Sequence, residues 1–180
     1  KTRCLRFVKF WRAPSPTLVT PSGITSFSSA VNPLNAFAGI DENEPDKYYN
    51  WGYNPVEYFS MTKWYSSDPN DPYATINELK ELVDNYHKEG LLVNLDVVFN
   101  HVFNHKTFSL NTLVPGYVFR TDYIDFMTNG SGCGTDVASE RKMNRRFIVD
   151  SLVHFVEDYD VDGFRFDLMG LLDYETLNIV

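Results

Sequence analysis

Leu91-Leu92-Val93-Asn94-Leu95-Asp96-Val97-Val98-Phe99-Asn100-His101 is an apolar run, rich in β-branched and aromatic residues, that starts straight after Gly90 and closes on polar ones. Such a run predicts a buried strand that delivers polar groups at its C-terminal end. An ionised carboxylate inside it is costly unless it is paired or hydrogen-bonded. Asp96 therefore needs a partner, and Val161-Asp162-Gly163-Phe164-Arg165-Phe166-Asp167-Leu168 supplies one. With a side-chain period of two, Phe164 and Phe166 face one way while Arg165 and Asp167 face the other. Three charged groups are thereby expected to share one site.

Each of these strands is preceded by a helix. Asp71-Pro72 reads as an N-cap followed by proline at the first helical position, with Ile76, Leu79, Leu82, Val83 and Tyr86 recurring at three- and four-residue steps up to Gly90. His87 near its C-terminal end suits the helix dipole and reads as structural. A second helix, with Ser139 as its cap and Met143, Phe147, Ile148, Leu152, Phe155 and Val156 as its apolar face, is expected to end near Asp160. Helix, strand, long loop, helix, strand is the rhythm of parallel α/β architecture, in which ligands bind at the C-terminal edge of the strands.

Around this frame the chain is less regular. Residues 1–22 are basic and apolar, then rich in Pro and Ser, and read as an extended lead-in. Gly23-Ile24-Thr25 begins a strand weakened by Ser26, Ser28 and Ser29. From Asn32 to Asp71 the sequence is aromatic and turn-rich, and planar rings of this kind are surfaces for sugar stacking or for packing a loop onto the core. After His101 a second excursion, through Pro115-Gly116-Tyr117 and Asn129-Gly130-Ser131-Gly132-Cys133-Gly134, reads as an inserted subdomain or lid.

Composition excludes several classes. Hydrophobic residues make up 43% and aromatic residues 16% of the chain, which places it among globular proteins. A formal net charge of -8 argues against nucleic-acid binding, which rests on clustered Lys and Arg. Cys4 and Cys133 make neither a disulfide framework nor a zinc site. No stretch is long and apolar enough to span a membrane, and the opening residues lack the pattern of a signal peptide, which leaves a secreted and a cytoplasmic location equally open.

Asp96-Val97-Val98-Phe99-Asn100-His101 and Gly163-Phe164-Arg165-Phe166-Asp167 resemble two sequence regions of the α-amylase superfamily of glycoside hydrolases, family 13. Within it, Tyr49-Asn50-Trp51-Gly52-Tyr53-Asn54-Pro55, Asn129-Gly130-Ser131-Gly132-Cys133-Gly134 with Ala138-Ser139-Glu140-Arg141, and Asp162-Gly163-Phe164-Arg165-Phe166-Asp167-Leu168-Met169-Gly170 are similar to type I pullulanases, which cut α-1,6 branch linkages. The resemblance runs from about Pro33 to Asp173.

It implies a partial (β/α)8 TIM barrel with a long inserted loop region after the third barrel strand, residues 23–180 being the first part of the catalytic domain. It makes Asp167 the catalytic nucleophile and Arg165 the residue that keeps it ionised. Retaining chemistry needs that carboxylate, and an adjacent guanidinium favours its charged form. Tyr53 would stack beneath the sugar, His101 would donate to one of its hydroxyls, Asp96 would fix Arg165 or the subsite network, and Trp51 belongs to the same aromatic, substrate-binding tag. No cofactor is required; calcium near Asn100 is compatible with the family, although one Asn establishes no metal. The implied partner is an α-glucan polysaccharide, and oligomeric state stays open.

From spacing alone, Arg165 and Asp167 are equally readable as a structural ion pair. The general-acid Glu and a third carboxylate are expected beyond Val180, so the chain is expected to be roughly the first half of a barrel, inactive alone and unstable in isolation. Glu175 lacks a matching motif, and Asp162 and Asp173 read as turn or solvent residues. An α-1,4-acting amylase or amylopullulanase and a non-catalytic glucan-binding protein are the alternatives.

Overall fold

In chain order the elements of this computed structural model are β1 (Leu18–Val19), β2 (Thr25–Val31), α1 (Pro72–Lys88), β3 (Leu91–Val97), β4 (His101–Val102), α2 (Ser109–Leu113), β5 (Thr135–Asp136), α3 (Lys142–Tyr159), β6 (Gly163–Phe166) and α4 (Tyr174–Ile179). The structure describes residues 18–19, 25–31, 33–41, 43–45, 47 and 49–180. The expectations for Gly23, Ile24 and most of the lead-in lie outside them. Leu18–Val19, within the expected lead-in, pair antiparallel with β2.

The main sheet has the order β1-β2-β3-β6, with β2–β3 and β3–β6 both parallel. Each parallel pair needs a crossover connection, and α1 and α3 provide them. β2 runs for seven residues despite its three serines, because its pairing with β3 from Phe27↔Leu91 to Val31↔Leu95 outweighs side-chain preference.

Helix α1 forms as its sequence dictates. Asp71 accepts a hydrogen bond from the Tyr73 amide at 2.9 Å, Pro72 opens the first turn, and Leu79 and Val83 are buried. Gly90 at φ +73° ends it in the left-handed region. Helix α3 departs from expectation at its start. It begins at Lys142 with Arg141 as an N-cap that makes no side-chain cap, while Ser139 is buried and accepts a hydrogen bond from the Asp173 amide at 2.9 Å. Ser139 thus fastens the start of α4 instead of capping α3. Met143 and Val156 are exposed, leaving Ile148, Leu152 and Phe155 as the buried stripe.

Val93, Leu95 and Val97 join Leu79, Val83, Ile148, Leu152 and Phe155 in one core cluster, with Phe164 and Phe166 packed against it. In the β3–β6 register Leu95 lies beside Phe164 and Val97 beside Phe166, whereas Asn94 pairs with Gly163 and Asp96 with Arg165. One face of the pair is therefore apolar and the other polar. A Cβ at Gly163 would meet the end of the Asn94 side chain, which would have to shift to admit it.

Both strands are shorter than the sequence suggests. Beyond Val97 the chain turns, and His101–Val102 pair antiparallel with Thr135–Asp136 in a separate two-stranded ribbon. A side chain at Gly134 would overlap the Val102 carbonyl oxygen. On the partner strand, Leu168 adopts a left-handed φ of 44°, which stops β6 before it. The connection from residue 98 to 141 contains α2 and β5 and buries Phe108, Val118, Phe119, Val137 and Ala138.

Candidate active site

The polar face of β3–β6 ends in a cluster of four side chains from three parts of the sequence. Asp96 and Arg165 are register partners, and Nη1 of Arg165 lies 2.8 Å from both carboxylate oxygens of Asp96. The same Nη1 stands 3.0 Å from Oδ1 of Asp167. Tyr53 reaches in from the aromatic segment, its hydroxyl donating to Oδ2 of Asp96 at 2.5 Å. The partner that a buried carboxylate requires is thus supplied twice over.

Tyr53 arrives there because its loop is pinned. Gly52 sits at φ +83°, its amide donating to Asn50 Oδ1 at 2.9 Å, and Asn50 Nδ2 donates to the Ala38 carbonyl at 3.0 Å. Bridges Phe37↔Pro55 and Asn35↔Met61 hold the two arms of the segment together. The segment's rings divide between roles: Tyr58 is buried edge-on against Phe99 at 5.0 Å, while Trp51 is 65% exposed with Tyr49 edge-on to it at 4.9 Å. Trp51 is no member of the hydrogen-bonded cluster.

Electrostatics follow from burial. Asp96 is 9% exposed and the Arg165 side chain 53%. Burial pushes the Asp96 carboxyl upward, with the Tyr53 hydroxyl and the Arg165 guanidinium pulling against it. The hydrogen bond it donates to Asp96 raises Arg165 in turn. Burial, then the bond to Asp96, raises Tyr53 far above a free phenol, so it stays protonated and donates.

His101 is buried beside this cluster. Burial lowers its pKa, with the Tyr53 main chain, Asp167 and Asp136 opposing. Its Nδ1 faces Oδ1 of Asn100, an atom that only accepts, so Nδ1 carries the hydrogen. Nε2 is buried and, among the described residues, has no hydrogen-bond partner. In the neutral ring Nε2 is then the unprotonated nitrogen. Tyr58 donates to the His101 carbonyl at 2.9 Å.

Asn100 is the residue that sequence reasoning valued too little. Besides meeting His101, it donates through Nδ2 to the Asp167 carbonyl at 2.8 Å, and the Asp167 amide donates to the Val97 carbonyl at 2.9 Å. Its position between two flagged residues was the available signal. Both carboxamide atoms of Asn100 are engaged, and among the described residues no group of three or more His, Cys, Asp or Glu could hold a metal ion.

Three other acids prove to be structural. Asp162 accepts from the Val93 amide at 2.7 Å and lies 2.8 Å from His87 Nε2. Asp136, opposite His101 in the ribbon, accepts from the Gly130 amide at 2.8 Å and anchors the glycine-rich turn. Asp173, expected to be a turn or solvent residue, caps α4 and pairs with Arg145 at 2.9 Å. Its burial acts upward, but Thr176, Ser139 and Arg145 outweigh that and bring its pKa to about 2.

No protein-family model matches the chain. It is 50% identical over 145 residues to the pullulanase of Bacillus subtilis, an alignment covering 81% of this chain and 20% of that protein. It is 42% identical over 159 residues to the chloroplastic pullulanase 1 of Arabidopsis thaliana, covering 85% of this chain and 16% of that one. Its fold matches the crystal structure of type I pullulanase from Bacillus subtilis complexed with maltose, with a TM-score of 0.82, 47% identity, 85% of this chain and 22% of that chain covered. The pullulanase of Anoxybacillus sp. LM18-11 complexed with maltotetraose matches with a TM-score of 0.82, 49% identity, and 84% and 22% covered. The chain spans about a fifth or less of the length of these curated relatives.

Proposed function

Across the segment it shares with them the chain belongs to the type I pullulanases, and from that premise we propose that it forms part of the catalytic domain of a retaining α-1,6-glucosidase that debranches pullulan, amylopectin and related α-glucans. The observation that carries this reading is Arg165 Nη1 bridging Asp96 and Asp167 at the C-terminal end of two adjacent parallel strands. That is where α/β barrels place catalytic groups. In this reading β3 and β6 are the third and fourth strands of a (β/α)8 barrel, with residues 98–141 as the inserted loop region and 23–180 as the first part of the domain.

Asp167 is the nucleophile. Arg165 holds Oδ1, so Oδ2 attacks the anomeric carbon as the bond to the leaving glucan oxygen breaks, and water later hydrolyses the glycosyl-enzyme ester. Tyr53, its hydroxyl tied to Asp96, offers its ring to the sugar, and the buried His101 lies beneath the same subsite. Trp51 supplies a second, exposed ring. The maltose and maltotetraose bound by the two relatives support an α-glucan as the ligand.

The leaving oxygen needs a proton from a second carboxyl about 5–5.5 Å from the first. Asp96 is committed to Arg165 and Tyr53, Glu140 to Arg120, and Glu175 to Arg145. We assign that acid to sequence outside these 180 residues, and expect the segment alone to be inactive. The test is maltotriose release from pullulan by the full-length protein that carries this segment. Activity that falls by ~10³-fold or more in Asp167→Asn, with circular dichroism unchanged, supports the reading; wild-type turnover in that variant sinks it.

A further inference from the structure

We infer that Asn100 is a positioning residue for this chemistry: its one carboxamide anchors the main chain of Asp167 and selects the tautomer of His101. This rests on the glycosidase reading above and adds to it how the nucleophile and the imidazole are held in step.

Three observations converge. Asn100 is 0% exposed, so its hydrogen bonds are unscreened and costly to lose. Nδ2 donates to the Asp167 carbonyl at 2.8 Å while the Asp167 amide donates to the Val97 carbonyl at 2.9 Å, so both main-chain polar groups of the nucleophile are tied to the segment that ends β3. That carbonyl belongs to the peptide joining Asp167 to Leu168, a bulky residue at φ 44°. A leucine in the left-handed region is sterically strained. The Asn100 bond therefore holds the one peptide beside the nucleophile that is inclined to turn, and with it the direction of the carboxylate toward Arg165.

The other carboxamide atom acts on His101. The reverse orientation of Asn100 would set two carbonyl oxygens against each other at Asp167, so Oδ1 is the atom facing Nδ1, and Nδ1 must donate. The neutral ring is left with a bare Nε2, a buried acceptor without a partner among the described residues.

The experiment uses the full-length protein. Asn100→Asp keeps an acceptor for His101 and removes the donor to Asp167. It should lower kcat on pullulan by about 100-fold, the order expected for a misplaced reacting group, with KM changed by less than about twofold. The negative charge against Nδ1 should also move the acid limb of the pH profile upward. Asn100→Ala removes both bonds and should let His101 leave the Nδ1-protonated tautomer, read by nitrogen chemical shifts of labelled histidine. Wild-type kcat and pH profile in Asn100→Asp, or a loss confined to thermal stability, overturns the proposal. If the wild type releases nothing from pullulan, the glycosidase reading fails by itself. The histidine spectra still decide the Asn100 assignment: an Nε2-protonated His101 in the wild type refutes it.

Discussion

Asp96 and Arg165 are separated by 69 residues yet stand as direct register partners across the β3–β6 ladder, with both Asp96 oxygens 2.8 Å from one guanidinium nitrogen. The two partners are not equally dependent on each other. Asp96 is buried, whereas half of Arg165 is in water. Removing the cation strands a charge, while removing the anion leaves a guanidinium that solvent and Asp167 still accommodate.

Arg165→Met should accordingly destabilise the protein by about 2–3 kcal/mol, below the range for a fully buried pair because Tyr53 still donates to Asp96. Asp96→Asn should cost only about 1 kcal/mol, the scale of a partly exposed ion pair. Denaturant unfolding of the two variants provides the comparison. Equal losses would mean that burial does not set the balance.

Gly134 and Gly163 provide a contrast in close packing. A Cβ on Gly134 meets the Val102 carbonyl, which belongs to the ribbon backbone, and the His101 ring at 2.8 Å; on Gly163 it meets the end of the Asn94 side chain. Backbone cannot step aside and a side chain can. Gly134→Ala should lose about 2–3 kcal/mol and Gly163→Ala about 1 kcal/mol, measured by thermal melts. The opposite ranking would contradict the ribbon geometry.

His87 makes stability depend on pH. Its hydrogen bond to Asp162 raises its pKa, burial opposes, and the charges of Asp162, Asp160 and Asp84 add to the rise. Since the folded value lies above the unfolded one of about 6.5, the contribution is complete below that pH and fades as pH rises through the folded value. His87→Gln should therefore lower Tm more at about pH 5.5 than at about pH 9. The same loss at both would remove the imidazolium from the account.

Trp51 separates binding from folding. Because it is largely exposed and outside the hydrogen-bonded cluster, Trp51→Ala should change stability by no more than about 0.5 kcal/mol. If the ring meets substrate, KM for maltooligosaccharides should rise by about fivefold or more, an effect of roughly 1 kcal/mol. An unchanged KM in steady-state assays would take Trp51 out of the substrate site.

Much of the site is legible before folding because its signals are local. The period-two placement of Arg165 and Asp167, and the anomaly of one carboxylate in the apolar run around Asp96, depend on nearest neighbours and on the cost of burying charge. The α1 cap at Asp71 is legible for the same reason. Ser139 misleads because a serine before a helix has two uses, and only the arrival of Asp173 chooses between them. The three serines of β2 mislead because strand preference is weak beside a partner already in place.

By itself, then, the sequence determined the alternation of helix and strand, the apolar and polar faces of β3 and β6, and the demand of Asp96 for a partner. Only the tertiary structure decided that Tyr53, 43 residues upstream, completes that partnership, that Asn100 ties Asp167 and His101 together, and that both strands stop where they do. The physical reason is reach: periodicity and desolvation act along a few residues of chain, whereas a hydrogen bond between distant segments exists only once the parallel register has brought their backbones side by side.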